Sequence, residues 1–299
     1  MADESLIEMN DLRKTYEETE ALRGLSVRVP RGSIFGFLGR NGAGKTTAIK
    51  ILMGMARATS GTARIFGADI ANPSAAIDMR RRTGFVSEEK ELYAYMTVGD
   101  MIRFTAGFFP TWRTDLAAHY LRLFALPADR RVRTLSQGMR TKLALLLALS
   151  RGAELLVLDE PTSGLDPAVT EEVLQALVSH VAAESLTVFF SSHQIAEVDQ
   201  IADHVAIVHE GRTALDGALD DLRETFCRVQ LVFDREAPDV PWQVAGVTRV
   251  RRQGRVLTVT SRAGTDALLA HARTLGPVSV DVLPVSLKEM FLDVVSEEN

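Results

Sequence analysis

The sequence predicts an α/β fold in which helices cover a mixed, mainly parallel sheet, with a helical insertion and a small C-terminal α+β domain. Three observations predict it. Over roughly the first 220 of 299 residues, apolar strand-like runs alternate with helical runs, the order from which helix-covered parallel sheets are built. From Gly84 to Leu126 the texture changes to Phe-rich segments of helical period. After about Thr225, short alternating strands take over. These shifts place a main domain at 1–222, its helical insertion at about 84–150, and an accessory domain at 223–299.

Four segments read as buried strands: "SIFGFLG" at 33–39, "ELLVLDE" at 154–160, "LTVFFSSH" at 186–193 and "HVAIVHEG" at 204–211. Each ends in polar residues, and in open parallel sheets ligands gather at the carboxyl ends of strands. "TVGDMIRFTAGFFPTW" and "DLAAHYLRLFAL" supply helices of the insertion. In the accessory domain "CRVQLVFD", "TRVRRQGRVLTVTS" and "PVSVDVLP" read as strands, "TDALLAHARTL" and "SLKEMFLDVV" as helices, and "REAPDVPW" as a loop.

Composition narrows the class. A hydrophobic fraction of 46% with 24% charged residues excludes a disordered or collagen-like chain. The longest unbroken apolar run, 143–149, is far short of the roughly 20 residues that a membrane span needs. The N-terminal "MADESLIEMN" is acidic and lacks the basic start and apolar core of a signal peptide, so a cytoplasmic location is expected. The single cysteine, Cys227, excludes an internal disulfide framework and is expected to be a packed thiol. A net charge of −5 and a pI near 5.8 argue against nucleic-acid binding through a broad basic surface.

The chemistry begins with "GRNGAGKT" at 39–46, which fits G-x-x-x-x-G-K-[ST] between a strand and a helix. Its backbone amides and the helix N-terminus suit phosphate oxygens. The expected cradle comprises Gly39, Arg40, Asn41, Gly42, Ala43, Gly44, Lys45, Thr46 and Thr47. Lys45 would reach the β- and γ-phosphates and the Thr46 hydroxyl would hold Mg²⁺. Asp159, at the end of "LLVLDE", is the expected metal partner from the opposite side. Glu160 follows as general base for an attacking water. His193, at the tip of "TVFFSSH", is placed to sense a γ-phosphate. His119, His180, His204, His209 and His271 lack such placement and are expected at surface or packing positions.

Together "GRNGAGKTT", "LSQGM", "LLVLDEPTSGLD" and "SSH", in this order, resemble the nucleotide-binding subunit of ATP-binding cassette transporters, over roughly residues 5–220. The resemblance implies a P-loop NTPase cassette with ATP and Mg²⁺ as its ligands. It also implies two cassettes packed head to tail, with two ATP molecules sandwiched between the P-loop of one and the "LSQGM" turn of the other. By carry-over, Ser136, Gln137 and Gly138 would touch the ATP of a second, identical subunit. Asp166 closes "SGLD", the segment that crosses such an interface, and Tyr16 stands where the family usually stacks an aromatic on adenine. Two segments depart from the family pattern. Gln137 and Met139 stand in a signature most often Leu-Ser-Gly-Gly-Gln, and Gln137 cannot freely take the positive φ open to glycine, which puts that turn's geometry in question. Glu88 stands where a glutamine usually approaches Mg²⁺ and the attacking water; as a carboxylate it can hold metal but cannot donate as an amide does.

The resemblance further implies separate integral membrane subunits as partners, with the chain peripheral on the cytoplasmic face. Phe104, Phe108, Phe109 and Trp112 of the insertion offer apolar contact for them, and adjacent Phe108 and Phe109 cannot both face inward on one helix. The texture looks most like export systems, and "SLKEMFLDVV" is similar to the tail of many export cassettes. The rival readings are a soluble cassette ATPase acting on ribosomes or DNA, and a P-loop kinase of small molecules. The first usually carries two cassettes or a long coiled-coil insertion. The second needs an acceptor site that no motif here supplies.

Overall fold

The structure, a computed structural model, describes residues 5–242, 244–262 and 265–296. The chain divides into two compact units, one up to Asp216 and one from Gly217 onward.

The first unit holds two sheets. Strands β1 (Ser5–Tyr16) and β2 (Thr19–Pro30) form an antiparallel hairpin. With β4 (Ser60–Ile65) and β5 (Ala68–Asp69) they make an antiparallel sheet in the order β2-β1-β4-β5. The second sheet is built from β3 (Ile34–Gly39), β6 (Thr83–Val86), β7 (Leu155–Leu158), β8 (Thr187–Ser192), β9 (His204–His209) and β10 (Arg212–Ala218), in the order β10-β9-β3-β8-β7-β6. The run from β9 to β6 is parallel throughout. Every residue of β3, β7 and β8 is buried, as expected of parallel strands covered on both faces.

Among the described residues seven α-helices accompany the two sheets. They are α1 (Lys45–Leu52), α2 (Pro73–Arg82), α3 (Val98–Ala106), α4 (Thr114–Leu123), α5 (Gln137–Leu149), α6 (Pro167–Glu184) and α7 (Ile195–Ile201). Helix α1 touches β2, β3 and β4, so Ala48, Ile49, Ile51 and Leu52 bury their side chains in a core shared by both sheets. Phe35, Phe37 and Phe189 stack at its centre. Helix α7 lies close on β3: a Cβ at Gly36 would sit 2.4 Å from Val198 Cγ1, so no side chain fits there. Among the described residues no helix is long and apolar enough to cross a membrane.

The second unit contains α8 (Leu219–Thr225), β11 (Cys227–Val232), β12 (Val247–Gln253), β13 (Val256–Ser261), α9 (Asp266–Thr274), β14 (Ser279–Pro284) and α10 (Leu287–Ser296). Its strands form an antiparallel sheet, β12-β13-β11-β14. Val229, Leu231, Leu257 and Val259 pack with Leu268 and Ala272 of α9 into a core of its own, which also buries Cys227.

The fold departs from the sequence reading in three places. The stretch from residue 84 does not begin a helical insertion, because Thr83–Val86 pairs with β7 as the edge of the six-stranded sheet; four residues are too few to display a period. Residues 5–30, in which no strand was named, hold the two longest strands among the described residues, whose mixed polar pattern reflects a sheet with one exposed face. Helix α3 ends at Ala106, so Phe108 and Phe109 lie in the turn beyond it, Phe108 exposed and Phe109 half-buried under the Arg151 guanidinium.

Candidate nucleotide site

Strand β3 delivers the chain at Gly39 into a loop that enters α1 at Lys45. Gly44, the residue before the helix, has φ 105°, and a Cβ on it would lie 2.7 Å from the Ala21 carbonyl oxygen. Only glycine meets both demands. No side chain caps α1, so its first amides remain available to an anion, with the positive end of the helix dipole behind them. Lys45 is buried, and its Nζ donates to the carbonyls of Gly39 (2.8 Å) and Arg40 (3.2 Å). The side chain is thereby folded back over its own loop.

Strand β7 ends at Leu158 and presents Asp159 and Glu160 beside that loop, both buried. Asp159 Oδ1 accepts from Ser191 Oγ (2.7 Å) and lies 3.3 Å from Thr46 Oγ1. Ser191 Oγ also accepts from the Glu160 amide at 3.0 Å, so one hydroxyl fixes both acidic residues. Glu160 has φ 45°, a left-handed conformation uncommon for a residue with a side chain and frequent where function demands strain. Its Oε1 is 3.1 Å from Lys45 Nζ and its Oε2 is 2.7 Å from His193 Nδ1. A buried carboxylate therefore bridges an ammonium on one side and an imidazole on the other.

These groups face a cavity of about 400 Å³. Asn41, Gly42, Gly44, Lys45, Thr46, Thr47, Glu88, Glu160, Ser163, His193 and Ala21 line it. The structure thus brings together the phosphate loop, the acidic strand end, His193 and Glu88. Gly39 and Arg40 serve through their carbonyls, and the Ala43 amide donates back to Arg40, closing the loop. Thr46 and Asp159 stand side by side as hard oxygen donors, a pair suited to Mg²⁺, which keeps several of its waters. Among the described residues no three His, Cys, Asp or Glu side chains are grouped to hold a metal by themselves.

Other expected residues lie outside the lining. Tyr16 sits at the β1–β2 hairpin, about half exposed, with Lys14 Nζ 4.6 Å over its ring; its neighbour in that hairpin, Ala21, reaches the cavity instead. Ser136 is the N-cap of α5 and accepts from the Met139 amide at 3.2 Å. Gln137 and Gly138 are the first two residues of that helix. Gln137 does not adopt a positive φ, which corrects the doubt about the turn: a helical first position suits any such residue. Its Nε2 donates to the Ser163 carbonyl at 3.1 Å. Asp166 caps α6 by accepting from the Val169 amide at 3.0 Å.

Sequence reasoning missed Ser191 and Lys90. Ser191 lies near the end of β8, two residues before His193, and a serine after so apolar a run was the available signal. Lys90 folds back from the acidic run after β6, and its Nζ donates to the carbonyls of Glu88 (2.9 Å) and Glu160 (3.4 Å). Burial pulls this ammonium below its ordinary value, and the charges of Glu88, Asp159 and Glu160 oppose the shift. Of the remaining histidines, His204 stacks on Phe35, and His180 is buried with Nδ1 2.8 Å from the Tyr120 hydroxyl.

Residues 22–163 match the family described as ABC transporter. The bacitracin transport ATP-binding protein BcrA of Bacillus licheniformis is 35% identical over 222 residues, covering 74% of this chain and 72% of that protein. The chain belongs to the ABC transporter family. A second relative, the Nod factor export ATP-binding protein I of Cupriavidus metallidurans, is 30% identical over 304 residues and is matched across 98% of both chains. Among solved structures, an ATP-binding subunit of an ABC transporter superimposes with a TM-score of 0.65 at 28% identity, covering 73% of this chain and 92% of that one. As an ABC-type ATPase with the α/β cassette fold, the chain binds ATP, and the cavity at the carboxyl ends of β3, β7 and β8 is the candidate for its place.

Proposed function

We propose that this chain is the ATP-hydrolysing subunit of an export-type ABC transporter, acting as a homodimer on the cytoplasmic face of the membrane against separate integral membrane subunits. The observation that carries the reading is the line Lys45–Glu160–His193 behind a cavity walled by the phosphate loop, with Ser136, Gln137 and Gly138 outside it. A hydroxyl-capped helix N-terminus that lies outside the cavity of the phosphate loop is suited to a phosphate held by a second copy. Export is supported by the transport and export relatives already named.

In the hydrolytic reaction the loop amides and Lys45 hold the phosphates and offset their charge. Thr46 and Asp159 would hold Mg²⁺, which when bound neutralises charge on the phosphate oxygens. Ser191 keeps Asp159 and the Glu160 amide in register. Glu160 accepts the proton of the attacking water, and His193 orients that carboxylate and lies within reach of the terminal phosphate. The partner's Ser136 and the partner's Gly138 complete the site on the opposite side.

Coupling to membrane subunits is supported by an aromatic cluster on the insertion. Tyr93, Tyr95, Phe104 and Phe108 are all exposed, and their rings chain together at centroid distances of 5.0–5.8 Å. Exposed aromatic patches of this kind mark interaction surfaces. Within this reading residues 1–222 form the ATPase domain, and the remainder adds a dimer or regulatory contact.

The reading is tested with Glu160→Gln. The variant is expected to lose ATP turnover by about 10²-fold or more, and to elute as a dimer retaining ATP when incubated with it. A variant that stays monomeric in ATP and hydrolyses at the parent rate refutes the proposal.

A further inference from the structure

The loop that follows β6 carries one cation among its carboxylates, and that cation reaches the catalytic strand end. Lys90 Nζ donates to two main-chain carbonyls, those of Glu88 and Glu160. It ties the segment bearing Glu88 to the residue that ends the acidic strand. Glu88 itself lines the cavity shared by Lys45, Thr46 and His193. Three carboxylates thus gather at this end of the sheet, Glu88, Asp159 and Glu160, against two ammonium groups, Lys45 and Lys90.

A carboxylate beside a phosphate is repelled, and in a half-buried setting one such charge at several ångströms is enough to weaken anion binding about tenfold. We propose that Lys90 is a positioning residue of the ATPase site and that Glu88 and Lys90 act as a unit, the ammonium balancing the carboxylate so that this pair presents no net charge to the phosphates. The inference rests on the cavity being the ATP site. Lys90 acts through two devices: its hydrogen bonds hold the Glu88 segment against the Glu160 main chain, and its charge offsets that of Glu88.

The test is a double-mutant cycle on the full-length protein, read by the binding of a fluorescent ATP analogue in chelator, without metal. Lys90→Met is expected to weaken binding about tenfold when Glu88 is present and less than twofold in the Glu88→Gln background. Lys90→Arg, which keeps the charge, is expected to stay within about twofold of the parent. Equal weakening in both backgrounds would mean that the two charges act on the phosphates independently rather than as a unit, and no weakening in either would remove Lys90 from the site; both outcomes overturn the proposal. Glu88→Gln alone gives a second reading that leaves Lys90 in place. It is expected to tighten metal-free binding about tenfold, and unchanged or weaker binding overturns the charge balance. Lys45→Ala, run in parallel, separates the two levels. If Lys45→Ala binds the analogue undiminished, the cavity is not the ATP site. If that variant loses binding while the cycle is additive, the site stands and the Glu88–Lys90 unit falls.

Discussion

Two helix N-termini in this molecule carry the proposed phosphate contacts, and they are built differently. At α1 the capping position is Gly44 in a left-handed conformation, with no side chain satisfying the first amides and a buried lysine folded across the loop. At α5 the cap is Ser136, whose hydroxyl already accepts from the Met139 amide, and no lysine is turned back upon it. The first terminus lies in a cavity with the acidic strand end, whereas the second lies outside it, joined to it through Gln137 and the Ser163 carbonyl. A site that must hold a triphosphate by itself needs uncapped amides and its own cation. A site that only closes over a phosphate already bound elsewhere can keep its helix capped until then.

This contrast can be broken most severely at Lys45. Lys45→Ala removes the cation from the first terminus and leaves Glu160 buried with His193 alone. Nucleotide affinity is expected to fall about 10- to 100-fold, and unfolding stability by about 3 kcal/mol, measured by titration and by urea denaturation. An unchanged affinity would mean that the two termini are equivalent after all. Ser136→Ala touches the second terminus alone. It is expected to cost about 1 kcal/mol through the lost cap, to lower turnover at saturating ATP, and to leave the nucleotide affinity of dilute protein unchanged. A drop in that affinity would place Ser136 in its own chain's site. The smallest effect concerns the helices around α5, which touches both α4 and α6. Those two are joined by Tyr120 and His180, and burial holds His180 below its ordinary value of 6.5. The folded state therefore resists protonating this imidazole. Stability is complete above about pH 6.5 and declines as the pH falls below it. His180→Gln is expected to flatten that decline between pH 7 and 5.5 in denaturation midpoints; an unaltered slope would show that acid does not act through this pair.

Much of the first terminus was legible in the sequence, because a loop that curls around phosphate constrains residue types at fixed spacing. Gly44 and Lys45 are dictated by local backbone geometry, and such demands are written into consecutive residues. Asp159, Glu160 and His193 were legible for a related reason, since polar residues at the tips of apolar strands project where β3 also ends. What stayed hidden depends on contacts across the fold. Lys90 reads as part of a solvated acidic run until the loop is seen to fold back on Glu160. The short β6 was absorbed into the insertion because its strand character comes from its pairing with β7 rather than from its own four residues. The doubt over Gln137 arose from treating the signature as a glycine turn, whereas here it is the opening of a helix.

The closeness of Gly36 to Val198 gives the molecule a mechanical linkage. Strand β3 leads into the glycine-rich loop before α1, and α7 begins two residues after His193, so a shift of either element is transmitted to the other without a spacer. Thickening that contact by a single methyl group would displace the imidazole while leaving every polar group of the pocket chemically intact.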